Sequence, residues 1–183
     1  RQGWRAEGDR WPDIVHNMQN RIGISSGQMV TGNMGSEARM NYTMMGDNVN
    51  TAARLESSAK QYGVYSQIAD STYQPVKDRV VVRDLDNVRV LGKNEPVKVW
   101  ELISEKGKEP ESYKKILPAY HEALDLYKNQ EWAKAIEAFR ASDALEEMFG
   151  GRKTNPSRIY IPRCEHYLDN PPGNEWDGVW TLT

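Results

Sequence analysis

One stretch limits what this chain can become: residues Arg21 to Gln61, RIGISSGQMVTGNMGSEARMNYTMMGDNVNTAARLESSAKQ. It opens on an alternating apolar run, Ile22-Gly23-Ile24-Ser25, and spaces glycines at 23, 27, 32 and 35. A second strand-like run, Tyr42-Thr43-Met44-Met45, ends in a tight Gly46-Asp47-Asn48 turn, and a helical segment starts near Val49. That order predicts a β-hairpin, an edge turn and a helix packed back across the sheet.

The helix carries the chemistry. Asp47 and Asn48 are good capping residues, because their side-chain oxygens can accept from the unpaired N–H groups of the first turn. Val49, Ala52, Ala53, Leu55 and Ala59 supply an apolar side with small residues, suited to close packing on a sheet. Asn50, Arg54, Ser57 and Gln61 recur at i, i+4, i+7 and i+11 and so share one face. An amide near a helix N-terminus with a guanidinium one turn later can hold a polyanion. The same stripe also fits an ordinary solvated face.

The ordered set RIGISSG, VTGNMGS, Arg39 and NYTMMGDNVNTAARLES at 41–57 closely resembles the catalytic domain of class III nucleotidyl cyclases, the adenylate and guanylate cyclases. The resemblance covers about residues 1–103. It implies an α+β fold built on a ferredoxin-like sheet with helices on one face. Position by position, it implies that Asn50 orients the nucleotide ribose and that Arg54 stabilises charge on the α-phosphate during transfer. Thr43 falls at the purine-selecting position, where a short hydroxyl implies the bacterial adenylate type; animal guanylate cyclases usually carry cysteine there. Lys93, in Leu91-Gly92-Lys93-Asn94, resembles a lysine that reaches the triphosphate, although Gly-Lys-Asn is also a common exposed turn.

The resemblance further implies ATP as substrate, two divalent ions (Mg2+ or Mn2+), and active sites formed between subunits. In the family the metals are held by two aspartates in the first half of the domain, together with a purine-binding lysine. Nothing upstream of Arg21 matches these. Asp9 and Asp13 sit in the polar turn EGDRWPD with no strand context. The expectation is therefore a C-terminal half-domain with no metal ligands of its own, inactive alone. Its unpaired strand edges predict a homodimer or strand-exchanged dimer.

Composition narrows the partners. A net charge of −2 over 183 residues offers no bulk attraction for nucleic acid or anionic membrane. Mean hydropathy is −0.77, and no apolar run approaches the roughly 20 residues of a membrane span. The single Cys164 excludes an internal disulfide and fits a reducing cytoplasm. The chain would equally suit the cytoplasmic portion of a larger, membrane-anchored protein. Cys164 reads as a small semi-buried side chain, and His16 has no partner at metal-ligand spacing.

Beyond the central helix, Gly63 reads as a C-cap and Val64–Ile68 as a short strand. Asp70-Ser71-Thr72 opens a brief helix. Arg79–Leu85 and Asn87–Leu91 read as strands paired around Asp86-Asn87, with Val97–Ile103 closing the sheet. Residues 104–112, SEKGKEPES, read as a linker.

Residues 113–183 are of another kind. Tyr120, Ala123, Leu124 and Tyr127 form one helical stripe, and Trp132, Ala135, Ile136 and Phe139 a second. The pair resembles a single tetratricopeptide-type (TPR-like) hairpin. One such unit cannot bury its own face, so it must dock on the sheet, on another subunit, or on a third helix. A candidate third helix opens at Pro156-Ser157 and carries Tyr160, Cys164 and Tyr167. Trp176 and Trp180 predict a C-terminal segment tied down rather than free. The layout resembles the C-terminal extension of some bacterial adenylate cyclases, and reads as a packing collar or a partner-binding surface.

Two classes of function follow: part of an adenylate cyclase, with guanylate cyclase as a variant, or a non-catalytic cyclase-like regulatory module that binds other proteins. The absence of a Gly-Gly-Asp/Glu-Glu-Phe loop sets diguanylate cyclases aside.

Overall fold

The computed structural model describes residues 2–16, 18–88, 96–146, 152–173 and 175–180. The chain enters through α1 (Gln2–Ala6), a 3-10 turn at Gly8–Arg10 and α2 (Asp13–His16). Strands β1 (Ile22–Ile24), β2 (Val30–Ser36) and β3 (Arg39–Met45) precede the 16-residue helix α3 (Asp47–Tyr62). Strand β4 (Ser66–Ala69) leads into α4 (Asp70–Tyr73) and a 3-10 turn, Gln74–Val76. Strands β5 (Val80–Val88) and β6 (Val97–Glu105) follow. Three helices then close the chain: α5 (Glu111–Lys128), α6 (Trp132–Leu145) and α7 (Pro156–Asp169).

The fold is α+β. Four strands form one sheet in the order β1-β4-β6-β5, while β2 and β3 make a separate antiparallel ribbon. Strand β1 lies parallel to β4, with Gly23 opposite Gln67. A parallel pair needs a crossover rather than a tight turn, and α3 is part of that crossover. Gly23 lets the helix rest on the strand: a Cβ there would meet the Ala52 carbonyl oxygen at 2.2 Å and the Glu56 amide nitrogen at 2.4 Å. Packed on this sheet is a core of Leu55, Ala59, Tyr62, Val64, Ala69, Leu85 and Val99.

Strand β5 departs from the sequence reading. No turn forms at Asp86-Asn87; one strand runs through it, paired with β6 from Val80↔Glu105 to Val88↔Val97. Register shifts between Val81 and Val82 and between Asp84 and Asp86 break the two-residue alternation. Arg83, Asp84, Leu85 and Asp86 are consequently all buried, a pattern that alternation rules cannot anticipate. Residues 89–91, the rest of the expected second strand, lie outside the described residues.

The helical stripes fall as expected. All eight residues of the two stripes are buried, as are Tyr160, Cys164 and Tyr167 of the third helix. The hairpin therefore completes itself with α7, while Tyr160 Oη donates to the Leu85 carbonyl oxygen at 2.6 Å and ties α7 to the sheet. Asn155 caps α7, accepting from the Arg158 amide at 3.1 Å. Trp176 and Trp180 pack back on the bundle, with ring centroids 5.1 Å from Tyr127 and 5.2 Å from Tyr167 respectively. Cys164 is fully buried rather than semi-buried.

Candidate active site

Helix α3 presents two faces set by its own spacing. Thr51, Leu55, Ala59 and Tyr62 recur every three or four residues and are buried, while Asn50, Arg54, Ser57 and Gln61 are exposed on the opposite side. Asn50 and Arg54 thus stand one turn apart on the solvent face, Asn50 close to the positive end of the helix macrodipole and Arg54 at mid-helix. The Asn50 amide donates to the Gly46 carbonyl oxygen at 3.2 Å, an early bond of the helix.

Capping differs from the sequence reading. The helix begins at Asp47, and Gly46 occupies the cap position without a side-chain bond. Asn48 serves another purpose. Its Nδ2 donates to the Gln28 carbonyl oxygen at 3.0 Å, and its Oδ1 accepts from Ser25 Oγ at 3.2 Å. Asn48 therefore holds the loop between β1 and β2 against the helix start, a longer-range bond than capping.

Thr43 lies on β3, paired across the ribbon with Gly32 and exposed. The fold places Asn50 and Arg54 together on one helix face and Thr43 on the ribbon that enters that helix. Lys93 lies outside the described residues. Among the described residues no three His, Cys, Asp or Glu side chains come together to hold a metal ion. No step below is assigned to Mg2+ or Mn2+.

The other end of α3 adjoins a cluster of buried charges. Tyr62 Oη donates to Asp86 Oδ2 at 2.6 Å, and Arg163 Nη1 approaches the same oxygen at 2.7 Å. Burial, reinforced by the Asp86 carboxylate, pushes the Tyr62 hydroxyl well above its ordinary range, so it remains a donor. Arg83, fully buried on β5, pairs with Glu101 Oε2 at 2.6 Å and with Glu146 Oε1. Burial opposes the Arg83 charge, but the two carboxylates outweigh it and raise its pKa. Arg152 joins Glu146 Oε2 at 2.8 Å and donates from Nε to the Gly63 carbonyl oxygen at 2.9 Å. Sequence analysis assigned no site role to Arg83, Glu101, Glu146, Arg152 or Arg163. A signal exists for Arg83 and Asp86 in the run Val80–Val88, VVVRDLDNV, where charges interrupt an apolar strand.

No helix among the described residues is long and apolar enough to cross a membrane. The model of the "Adenylate and Guanylate cyclase catalytic domain" family matches residues 9–104. An adenylate cyclase of Dictyostelium discoideum, terminal-differentiation specific, is 33% identical over 151 residues, covering 80% of this chain and 7% of that protein. Adenylate cyclase 1 of Rhizobium meliloti is 34% identical over 85 residues, covering 46% of this chain and 13% of that protein. This chain therefore spans well under a fifth of either relative's length. Among solved structures, the adenylyl cyclase CyaB from P. aeruginosa is similar at 32% identity and a TM-score of 0.44, over 60% of this chain and 53% of that one. The guanylyl cyclase Cya2 is similar at 33% identity and a TM-score of 0.38, over 45% and 41%. With its motif helix laid on the sheet through Gly23 and the family model matched across the strands described, the chain belongs to the adenylate and guanylate cyclase catalytic domain family.

Proposed function

We propose that this chain supplies the ribose- and phosphate-facing side of an adenylate cyclase active site, converting ATP to cyclic AMP and pyrophosphate. The observation that carries the reading is the pairing of Asn50 and Arg54 on the open face of α3. In this reading residues 1–103 are the C-terminal half of the catalytic domain and residues 113–183 a helical extension, within a cytoplasmic protein. A second subunit or segment brings the metal-binding carboxylates, and the chain is silent without them.

The reaction forms a bond from the ribose 3′-oxygen to the α-phosphorus while the bond to the pyrophosphate oxygen breaks and the hydroxyl proton is released. Negative charge builds on the α-phosphate oxygens, so catalysis rests on positioning and electrostatic stabilisation. Asn50, a neutral donor and acceptor, suits the ribose ring. Arg54, always charged and forked, suits the α-phosphate. Thr43 offers a hydroxyl to the purine edge, and Lys93 would add charge at the triphosphate.

The test is cyclic nucleotide formation by the full-length protein with ATP or GTP and Mn2+, wild type against Arg54→Ala. The expected result is cyclic AMP from wild type and a loss of at least a hundredfold in kcat for the variant, the scale of removing one transition-state donor, with folding unchanged. Arg54→Ala at wild-type turnover would overturn the role of Arg54. A folded dimer that is silent with both nucleotides would favour the non-catalytic regulatory module, and preferential turnover of GTP the guanylate variant.

A further inference from the structure

The candidate catalytic residues sit in the first half of α3, whose start Asn48 ties to the β1–β2 loop and whose middle Ser58 ties to Gln67 of β4. Apolar contacts from Leu55 and Ala59 hold the helix down on the sheet, but such contacts are non-directional. The bonds that lead from α3 to the helical tail are at the opposite end, at the last residue of the helix and the one that follows it. Tyr62 is bonded to Asp86, which also holds Arg163 of α7. Gly63 receives Arg152 on its carbonyl oxygen. That carbonyl is among the groups a helix end leaves without an intrahelical donor, and a cation there is favoured by the helix dipole.

Gly63 is built for this contact. Its φ of 64° is left-handed, and a Cβ would lie 1.9 Å from the Thr154 carbonyl oxygen, so the chain leading into α7 presses directly on the helix cap. Arg152 is itself anchored. Glu146, at the end of α6, bridges it to Arg83, which pairs with Glu101 on β6. The rings of Tyr113 and Tyr120 of α5 lie against the Arg83 guanidinium, their centroids 5.7 and 5.1 Å away. Both arginines that hold the end of α3 thus come from the helical tail. The match to the Dictyostelium protein spans 151 residues, too long to fit within the matched family region of 9–104, so the sequence similarity extends beyond that region.

From this geometry we infer that Arg152 and Arg163 are positioning residues. The tail clamps the C-terminal end of α3 and thereby sets where Asn50 and Arg54 stand against the nucleotide. Arg54 is nine residues from Gly63, roughly 13 Å along a helix rising about 1.5 Å per residue. A helix transmits an axial shift with little loss over that length, and a misplacement of about 1 Å can cost a hundredfold in rate. The inference rests on the proposed cyclase reading.

The experiment uses two variants in the full-length protein. Arg152→Lys keeps a charge beside Glu146 but removes the Nε that reaches Gly63. The double variant Glu146→Gln with Arg152→Met removes the Arg152 arm of the clamp while leaving Arg83 with Glu101 and Arg163 with Asp86. Cyclic AMP formation is measured at temperatures well below each variant's own Tm, alongside amide hydrogen exchange along α3. The expected result is a fall in kcat of at least tenfold in both variants, KM for ATP within threefold of wild type, and faster exchange at Asn50–Arg54 as well as at Gly63. Wild-type kcat in a folded Arg152→Lys, or exchange changes confined to the Gly63 end, overturns this inference while leaving the cyclase reading intact. A loss that follows only the unfolded fraction makes the arginines merely structural. Inactive wild-type protein overturns the cyclase reading and this inference with it.

Discussion

The β2–β3 ribbon and the helical tail make a sharp contrast. The ribbon exposes its apolar residues: Val30, Met40, Tyr42, Met44 and Met45 are all more than half exposed. In the tail, Tyr120, Ala123, Ala135, Phe139 and Cys164 are completely buried in an aromatic core. A two-stranded ribbon by itself is marginal in water, whereas the three helices of the tail pack around six or more aromatic rings. Stability is therefore concentrated away from the candidate chemistry. Thr43 lies in the weak region, Asn50 and Arg54 where it meets the sheet, and the buried charges that lock α3 in the strong one. Regions of low local stability are where binding and closure are usually found.

The contrast can be broken most directly at Glu146, which holds two arginines at once. Glu146→Ala should destabilise the protein by about 3–5 kcal/mol, because it leaves Arg83 and Arg152 short of a counter-charge in a buried setting. Urea unfolding reads this, and a cost below about 1 kcal/mol would show the network to be solvated. Gly63→Ala should cost about 1–2 kcal/mol from its left-handed backbone alone, and more from the contact with Thr154, measured as a drop in Tm. An unchanged Tm would mean that the tail does not press on the helix cap.

Cys164 sharpens the same picture. Burial pushes its thiol up to about 12 from an ordinary 9, so native protein should resist a thiol reagent at pH 8 until the bundle opens. Because the folded pKa is the higher one, the unfolded chain releases its proton first. Stability from this group is present below pH 9 and declines as pH rises from 9 towards 12. Rapid labelling of native protein would place Cys164 in a mobile region instead. The smallest effect belongs to the ribbon: Met44→Ser should change stability by no more than about 0.5 kcal/mol, as for other exposed positions. A cost above 1 kcal/mol would show that the ribbon is covered in solution.

Much of this was legible in advance where local periodicity governs. The polar stripe of α3, the glycine after its last turn, the two apolar stripes of α5 and α6, and the inward residues of α7 all follow from helical spacing. Two readings failed for one reason. Asn48 was expected to cap its own helix but bonds the Ser25–Gln28 loop, and Asp86-Asn87 was expected to turn but lies in a bulged strand. In both cases a distant partner outcompeted the local option, Gln28 for Asn48 and β6 for residues 86–88.

By itself, then, the chain's order of residues determined the cyclase motif, its helix and the amphipathic tail, because each depends on neighbours within a few turns. Only the tertiary structure decided that the tail folds onto the sheet, and that Glu146 and Arg152 meet Arg83 and Gly63 across 63 and 89 residues of chain. A charge in a sequence carries no record of its partner. Burial is what makes an unpaired charge too costly to leave, and burial is fixed only when the whole chain has packed.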